Sequence, residues 1–401
     1  MQMRNSASRH EFLLYFTAHP IPTLLSEIVN LMGASAYVPG QGYFINDPIL
    51  AKEILQDERF TKAGKGSTGA IITQIMGEYS LLNMDGISHR ELRSKLADLF
   101  SAKYVSTFIH DVLDELTLKL QDDLRAGEEV DLVRFMHHVT GKMICHMIGM
   151  EITKEKETET YDTIFNLVEK IIASVQLTNI DIPESKLSTY QEYFEQLIGF
   201  AQIAFEKNDI RTHSVVQRLK DLGLSFDEAK GVLGVLFVAG TETVSSSMPR
   251  LIALLLDSCQ FEEVKKNREL IAGAIDEGLR FCTPVPVMTR SVSENIRIGN
   301  YTFKKKRRLV IFLYNILKSK RYFIDPRRYD IHRKHDPKIK HMWFGGGPHF
   351  CLGFALAHKE MSTILEVLLD LPGRITITDR QYGKHVLLPQ YAQLKIKLNT
   401  K

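Results

Sequence analysis

Cysteine is scarce in this sequence. Only four occur among 401 residues, and no two of them form a C-x-x-C pair or stand at the spacing of a zinc site. So few cysteines cannot build a disulfide framework, and their scarcity favours a reducing compartment. The four positions are Cys145, Cys259, Cys282 and Cys351.

The sequence also lacks a charge excess and long apolar runs. The net charge is only +3, too small to predict binding to nucleic acid or to an anionic membrane. The apolar segment EFLLYFTAHPIPTLLSE contains two glutamates and two prolines, and the apolar run 231–240 is soon followed by Glu242. Neither reads as a signal peptide or as a span of roughly 20 apolar residues. We therefore expect a cytoplasmic protein without a membrane anchor.

What the sequence does have is helical periodicity over most of its length. Alternating, strand-like stretches occur at 36–46, in NIRIGNYTF, in RITITD and in LLPQYAQLKIKLN. These patterns predict a mainly α protein with a small β-rich lobe, and no linker marks a domain boundary. The predicted helices cover 48–56, 88–100, 104–126, 130–150, 155–176, 188–207, 226–257 and 261–281.

Two helix starts carry capping signals. Asp47 followed by Pro48 predicts an N-cap with proline in the first turn. Ser225 and Glu228 have the spacing of a capping box at the start of the segment 226–257. That segment is apolar nearly all round, and as a helix it would be about 45 Å long. We expect it to cross the middle of the protein.

The stretch FGGGPHFCLG places four glycines around Cys351. From the residues alone, this cysteine is a small buried hydrophobe, a nucleophile that needs a histidine nearby, or a metal ligand. The glycines would let backbone approach a large flat partner, and a strongly helical run follows. A helix N-terminus stabilises a thiolate, which suits an axial ligand to haem iron. A P-loop is excluded, because no Gly-Lys-Ser/Thr follows.

This stretch resembles the haem-binding loop of the cytochrome P-450 family, F-x-x-G-x-(R/H)-x-C-x-G. Phe344, Gly347, His349, Cys351 and Gly353 all match the pattern. The resemblance implies a single P-450 domain over 1–401 that binds haem b (iron protoporphyrin IX). It also implies that Cys351 is the proximal iron ligand, that Phe344 packs beside it and that His349 contacts a haem propionate.

Other motifs of the same family follow in the family's order. DGISHRELR resembles D-G-x-x-H-x-x-x-R, and Arg290 matches a later arginine. The resemblance makes His89, Arg93 and Arg290 donors to the haem propionates. EGLR, with Glu277 and Arg280, resembles the E-x-x-R pair that braces the haem loop.

The brace has a third member in this family. FIDPRRYD resembles the segment that supplies it, which makes Arg328 the expected partner of the E-x-x-R pair. We expect a structural role for this trio and no part in catalysis.

AGTETVSSS lies midway along the predicted central helix. It resembles the family's (A/G)-G-x-(D/E)-T, which makes Glu242 and Thr243 an acid–alcohol pair that delivers protons during oxygen activation. Ala239 and Gly240 would leave room for a group against the helix.

The chain departs from the family at several positions. Val244 replaces a frequent second threonine, and Pro249 predicts a bend near 245–249. The KKKRR stretch at 304–308 predicts a solvated charged turn, with a partner-docking patch as the alternative.

The resemblance implies a monomeric monooxygenase that inserts one oxygen atom from O₂ into a small organic substrate. No flavin or iron–sulfur module is evident, so electrons would come from a separate ferredoxin and its reductase, docked near Lys95 and Lys103. A peroxide-driven hydroxylase and a non-catalytic haem sensor are the alternatives; retention of Glu242 and Thr243 argues against both. The expected substrate-lining positions suggest a mainly apolar ligand: 71–82, 174–188, Val235, Ala239, Val285, Val287 and Met288.

Overall fold

The computed structural model describes residues 6–31, 33–175, 182–207 and 211–399, and these are mostly helical. The helices of this part of the chain are α1 (Ser6–Ala18), α2 (Pro20–Leu31), α3 (Pro48–Gln56), α4 (Thr68–Met76), α5 (Gly86–Leu96), α6 (Ala102–Arg125), α7 (Leu132–Ile148), α8 (Glu157–Ile172), α9 (Glu184–Glu206), α10 (Val215–Asp221), α11 (Phe226–Asp257), α12 (Phe261–Lys266), α13 (Ile271–Phe281), α14 (Leu313–Ile316) and α15 (Phe354–Leu369).

Within the same described residues, the strands form three small sheets. The largest has the order β1-β2-β8-β5-β3, and in it β2 pairs with β8 in parallel while the other pairs are antiparallel. The other two are β4-β10-β9 and the hairpin β6-β7. The strands are β1 (Ser35–Val38), β2 (Gly42–Ile45), β3 (Phe60–Thr61), β4 (Val130–Asp131), β5 (Val287–Val292), β6 (Ile296–Ile298), β7 (Tyr301–Phe303), β8 (Arg308–Phe312), β9 (Arg374–Tyr382) and β10 (Tyr391–Asn399).

Helix α11 is the centre of the molecule, as the sequence predicted. Its capping box is present: the Ser225 hydroxyl accepts from Glu228 N–H, and the Glu228 carboxylate accepts from Ser225 N–H. Within the described chain it is the one helix long and apolar enough to cross a membrane, but 78% of its apolar window is buried in protein. It packs against α7, α8, α9, α13 and α15, as a core helix should.

The helical conformation of α11 continues through Pro249 without a break. Pro249 cannot donate to the Ser245 carbonyl, and no second helix begins there. Just beyond it, Arg250 is fully buried and forms an ion pair with Glu11 of α1. The Arg250 guanidinium also donates to the Pro389 carbonyl at 2.9 Å. This buried pair fixes α1 against the core.

The predicted helix over 261–281 is wrong as a single helix. The chain forms α12, a 3₁₀ turn over Arg268–Leu270, and then α13. Asn267 interrupts the helix with an extended backbone (φ −129°, ψ 96°), and its side chain accepts from Glu269 N–H. A side chain that caps a new turn competes with helix continuation. The sequence also predicts a loop over 174–188; residues 176–181 of it lie outside the described residues, and its end is wrong because α9 begins at Glu184.

Candidate active site

A cavity of about 430 Å³ lies between helix α11 and the loop that carries Cys351. Its walls come from α4, the end of α8, α11, strand β5 and the C-terminal region near Leu388. Val235, Ala239, Val285, Val287 and Met288 line it as expected, and so do parts of 71–82 and residues 174–175. The described residues 182–188 of the expected set do not line it. Most of the lining is aliphatic, so the cavity suits an apolar occupant.

The loop of residues 344–353 is held by its own backbone and by helix α3. Cys351 N–H donates to the Phe344 carbonyl at 3.0 Å, which closes the loop. Gly347 has φ +61°, and a Cβ there would lie 2.1 Å from the Leu55 carbonyl oxygen. This glycine therefore permits close packing on α3 as well as a left-handed backbone. The sequence did not predict this contact with α3.

The Cys351 sulfur lies in the cavity wall, three residues before α15 begins at Phe354. Burial raises the pKa of the Cys351 thiol, and this outweighs the opposing effects of the Gly353 N–H and of the Arg93 and Lys62 charges. In the protein alone, burial therefore dominates over the features expected to favour the thiolate.

Basic side chains gather at one end of the cavity. Lys62, Arg93 and Arg290 all line it, and burial lowers the pKa of each. Arg290 is 3% exposed and donates to the Thr289 carbonyl at 2.8 Å, and Arg93 donates to the Phe350 carbonyl. Three cations therefore face one region of the cavity.

Two histidines and one carboxylate complete this end. The rings of His89 and His349 lie 4.2 Å apart, centroid to centroid. His349 Nε2 lies 3.3 Å from Asp85 Oδ1, and Asp85 also accepts from the backbone N–H groups of Lys62 and Ala63. His89 is buried, and neither of its ring nitrogens has a hydrogen-bond partner among the described residues.

Glu242 and Thr243, from the middle of α11, also line the cavity. Thr243 Oγ1 donates to the Ala239 carbonyl at 2.8 Å. Glu242 is 2% exposed, and its Oε2 has no hydrogen-bond partner within the described chain. Burial, with a smaller effect from the Glu169 charge, raises the pKa of Glu242 to about 8. Glu242 is therefore a neutral, buried acid at pH 7.

Ala239 and Gly240 lie in the same turn and also line the cavity. A Cβ at Gly240 would lie 2.7 Å from Ile144 Cδ1 of α7. The glycine therefore allows the close approach of α7, a role that differs from the open groove expected from the sequence.

The family model for cytochrome P-450 matches residues 39–371. The chain belongs to the cytochrome P-450 family. It is 26% identical over 302 residues to putative cytochrome P-450 YjiB of Bacillus subtilis, covering 73% of each chain. It is 28% identical over 307 residues to a steroid C26-monooxygenase of Rhodococcus jostii, covering 74% of this chain and 60% of that protein. Its relatives are named monooxygenases, and the chain is a P-450 monooxygenase.

Solved structures share the fold over nearly the whole length. A mutant of P-450 EryK in complex with erythromycin B matches with a TM-score of 0.79 at 18% identity, covering 95% of this chain and 97% of that one. CYP109E1 of Bacillus megaterium in complex with testosterone matches with a TM-score of 0.78 at 22% identity, covering 96% and 99%.

The P-450 family implies a haem cofactor, and the residues present fit one. Lys62, Arg93, Arg290 and His349 line the cavity, His89 lies against His349, and Asp85 beside His349 is the carboxylate next to them, which leaves an excess of donors for two further anionic groups such as propionates. The unpartnered ring nitrogens of His89 are part of this excess. A cysteine sulfur lines the same cavity, where a thiolate ligand would stand.

The predicted E-x-x-R pair of this P-450 is present and fully buried. Arg280 Nε donates to Glu277 Oε2 at 2.7 Å, and Arg280 Nη2 donates to Glu277 Oε1 at 2.8 Å. The prediction that Arg328 is the third member of this brace is wrong, because the Arg328 side chain is exposed. Arg333 takes its place, with its Nε donating to Glu277 Oε1 at 2.9 Å. Matching the motif by sequence put the arginine five residues too early.

Two ionisable residues of the cavity wall, Lys62 and Glu360, were missed from the sequence. Lys62 follows strand β3 as an ordinary surface-type lysine, and only the fold brings it beside Arg290 and Cys351. Glu360 lies on α15, is 2% exposed, and has its pKa raised well above the usual value by burial. The sequence signal that could have placed Glu360 near the cavity was its position nine residues after Cys351.

Proposed function

We propose that this P-450 inserts one oxygen atom from O₂ into a mainly apolar small organic substrate, using electrons from a separate ferredoxin and ferredoxin reductase. One observation carries the proposal. One largely aliphatic cavity is lined both by Cys351 and by the Glu242–Thr243 pair. A substrate in that cavity would lie within reach of the loop that carries Cys351 and of helix α11.

The proposed cofactor is haem b, which Cys351 would hold at the iron, with Phe344 and Gly353 beside the sulfur and His349 at a propionate. Bound haem supplies the activation of O₂ and the one-electron chemistry that amino-acid side chains cannot supply. His89, Arg93 and Arg290 would hold its propionates with charge-assisted hydrogen bonds. Ala239 and Gly240 would lie over its distal face.

Thr243 and Glu242 are proposed as the proton-handling pair. The Thr243 hydroxyl borders the cavity and donates to a backbone carbonyl of its own helix, so its oxygen can still accept a hydrogen bond. Glu242 is neutral at neutral pH because burial raises its pKa to about 8. A neutral buried acid retains a proton that it can give up, and this suits a relay.

The proposed substrate is apolar because most of the residues that line the cavity are apolar. Ile72, Ile75, Ile171, Leu236 and Val287 leave few polar anchors. One relative is named a 20-oxo-5-O-mycaminosyltylactone 23-monooxygenase, of Streptomyces fradiae, and is 27% identical over 304 residues.

We also propose that residues 1–401 form one domain and that the protein is a cytoplasmic monomer. The electron donor would be acidic, because Lys95 and Lys103 are exposed at the end of α5 and the start of α6. A peroxide-driven hydroxylase and a haem sensor without turnover are less well supported, since neither needs the buried acid beside a hydroxyl.

The test is reconstitution with ¹⁸O₂. A panel of apolar compounds is first titrated against the haem-loaded protein, and compounds that shift the Soret band are selected. Each is then incubated with NADPH, a ferredoxin, its reductase and ¹⁸O₂. We expect a product that contains one ¹⁸O atom only when all components are present. Turnover with NADPH alone would contradict the proposed electron supply, and product formed only with added peroxide would favour the peroxide-driven alternative.

A further inference from the structure

Helix α2 presents an apolar stripe to solvent. Its members recur every three or four residues, so they share one face of the helix. Nothing in the described part of the chain covers this face. The residues and their exposed fractions are Ile21 (69%), Leu24 (57%), Leu25 (49%), Ile28 (57%) and Leu31 (87%), called here the α2 stripe.

The α2 stripe cannot turn inward, because the opposite face of the helix is fixed to the core. Thr23, Ser26 and Val29 are buried on that face. Asn315 Nδ2 donates to the Ser26 carbonyl at 2.9 Å, and Asn46 Nδ2 donates to the Val29 carbonyl at 2.9 Å. Five branched aliphatic side chains are therefore held outward, although large exposed apolar patches are uncommon in soluble monomers.

A cluster of positive charge lies close to this helix. The turn between β7 and β8 carries Lys304, Lys305, Lys306 and Arg307, all exposed, called here the basic turn. The Arg307 guanidinium lies over the ring of Tyr37 in β1, 5.8 Å from its centroid, and Tyr37 is 45% exposed. Leu31 and Tyr37 are six residues apart in the chain, so they are at most about 20 Å apart.

We propose that the α2 stripe and the basic turn together bind the surface of an anionic lipid bilayer. Aliphatic side chains enter the acyl boundary, tyrosine suits the headgroup level, and clustered lysine and arginine attract anionic headgroups. Stable interfacial binding needs two such signals, and this surface has both. The net charge of the whole chain is only +3, so it does not reveal the local positive charge of the basic turn.

A bilayer fits this surface better than a protein partner does. The stripe lies on a single convex helix and consists only of leucine and isoleucine, whereas protein interfaces are anchored by aromatic residues and arginine in pockets. Hydrocarbon needs no shape complementarity. The binding would be peripheral and reversible, and it would let an apolar substrate pass from the membrane to the protein.

The experiment is co-sedimentation of the haem-loaded protein with vesicles. Vesicles of phosphatidylcholine containing phosphatidylglycerol are compared with vesicles of phosphatidylcholine alone. The stripe variant is Leu24→Ser, Leu25→Ser and Ile28→Ser, and its control replaces three apolar residues elsewhere that are at least as exposed: Leu118→Ser, Ile203→Ser and Ile324→Ser. The charge variant is Lys304→Gln, Lys305→Gln and Arg307→Gln, and its control is Lys266→Gln, Lys334→Gln and Lys338→Gln.

We expect the wild type and both controls to bind the anionic vesicles and to be released by salt. The stripe variant and the charge variant should each bind the anionic vesicles more weakly than the wild type, by about tenfold or by a larger factor. Their CO difference spectra should match the wild type, which shows that they fold. Equal binding by all variants, or no binding by the wild type, would overturn the proposal. A wild-type dimer in sedimentation velocity that the stripe substitutions abolish, without vesicle binding, would assign the surface to a second copy instead.

Discussion

Arg333 Nε donates to Glu277 Oε1 at 2.9 Å, and Arg333 also donates to the carbonyls of Ile324, Asp325 and Arg328. One guanidinium thereby joins the buried Glu277–Arg280 pair to the segment that leads into the haem loop.

Arg333→Ala should lower the yield of haem-loaded protein and destabilise the fold by up to about 3 kcal/mol, because a buried carboxylate loses one of its two cations. Arg328→Ala is the matched control. Its side chain is exposed, and its hydrogen bonds to Asp325 and Arg333 are made by its backbone N–H and carbonyl, which alanine retains, so its effect should stay within about 0.5 kcal/mol. Thermal unfolding and the haem-to-protein absorbance ratio measure both. Equal effects of the two variants would mean that Arg333 is an ordinary surface contact.

Lys62→Gln should release haem faster than the wild type, by about tenfold, because a charge-assisted contact to a propionate is lost. The rate is measured by transfer of haem to an excess of apomyoglobin, which needs no substrate. Lys65→Gln removes an exposed lysine three residues later and should leave the rate unchanged. An unchanged rate in Lys62→Gln would remove Lys62 from the set of haem contacts.

Thr243→Ala should bind substrate and accept electrons, yet release hydrogen peroxide in place of product. The Thr243 hydroxyl is needed for proton delivery but not for substrate binding or for electron transfer. Ser245 cannot replace it, because residues two apart on a helix point roughly 200° apart. The Ser245 hydroxyl is also buried, 3.3 Å from the Glu242 carbonyl. The ratio of product to NADPH should fall in Thr243→Ala and be unaffected in Thr243→Ser and Ser245→Ala. A normal ratio in Thr243→Ala would reject a relay through this hydroxyl.

Glu242→Gln should stabilise the haem-free protein increasingly as the pH rises. Burial raises the pKa of Glu242 from 4.5 to about 8, so the carboxyl ionises in the unfolded chain at lower pH than in the folded protein. The wild type therefore loses stability as the pH rises from about 4.5 to about 8, and it loses no more above that range. Glutamine does not titrate. Chemical denaturation at several pH values should show a difference of a few kcal/mol at pH 8 that vanishes near pH 4. A pH-independent difference would mean that Glu242 has an ordinary pKa.

The sequence predicted the long helices well because their hydrophobic periodicity and capping residues are local signals. The Ser225–Glu228 box and the Asp47–Pro48 start are both present as expected. The break at Asn267 was missed because a side-chain cap competes with a periodic pattern that continues on both sides. Arg333 and Lys62 were missed for a different reason: their positions depend on contacts between segments distant in the chain, which spacing cannot reveal.

Cys351 carries the central claim, and the absorption of the reduced protein with carbon monoxide tests it most directly. We predict a band at about 450 nm, the absorption for which the family is named, because the ligand is a cysteine thiolate. Cys259→Ser removes an exposed cysteine and should retain the band. Cys351→His should still bind haem through the same cavity but lose the band completely. A band at the same wavelength in Cys351→His would contradict the assignment of Cys351 as the iron ligand.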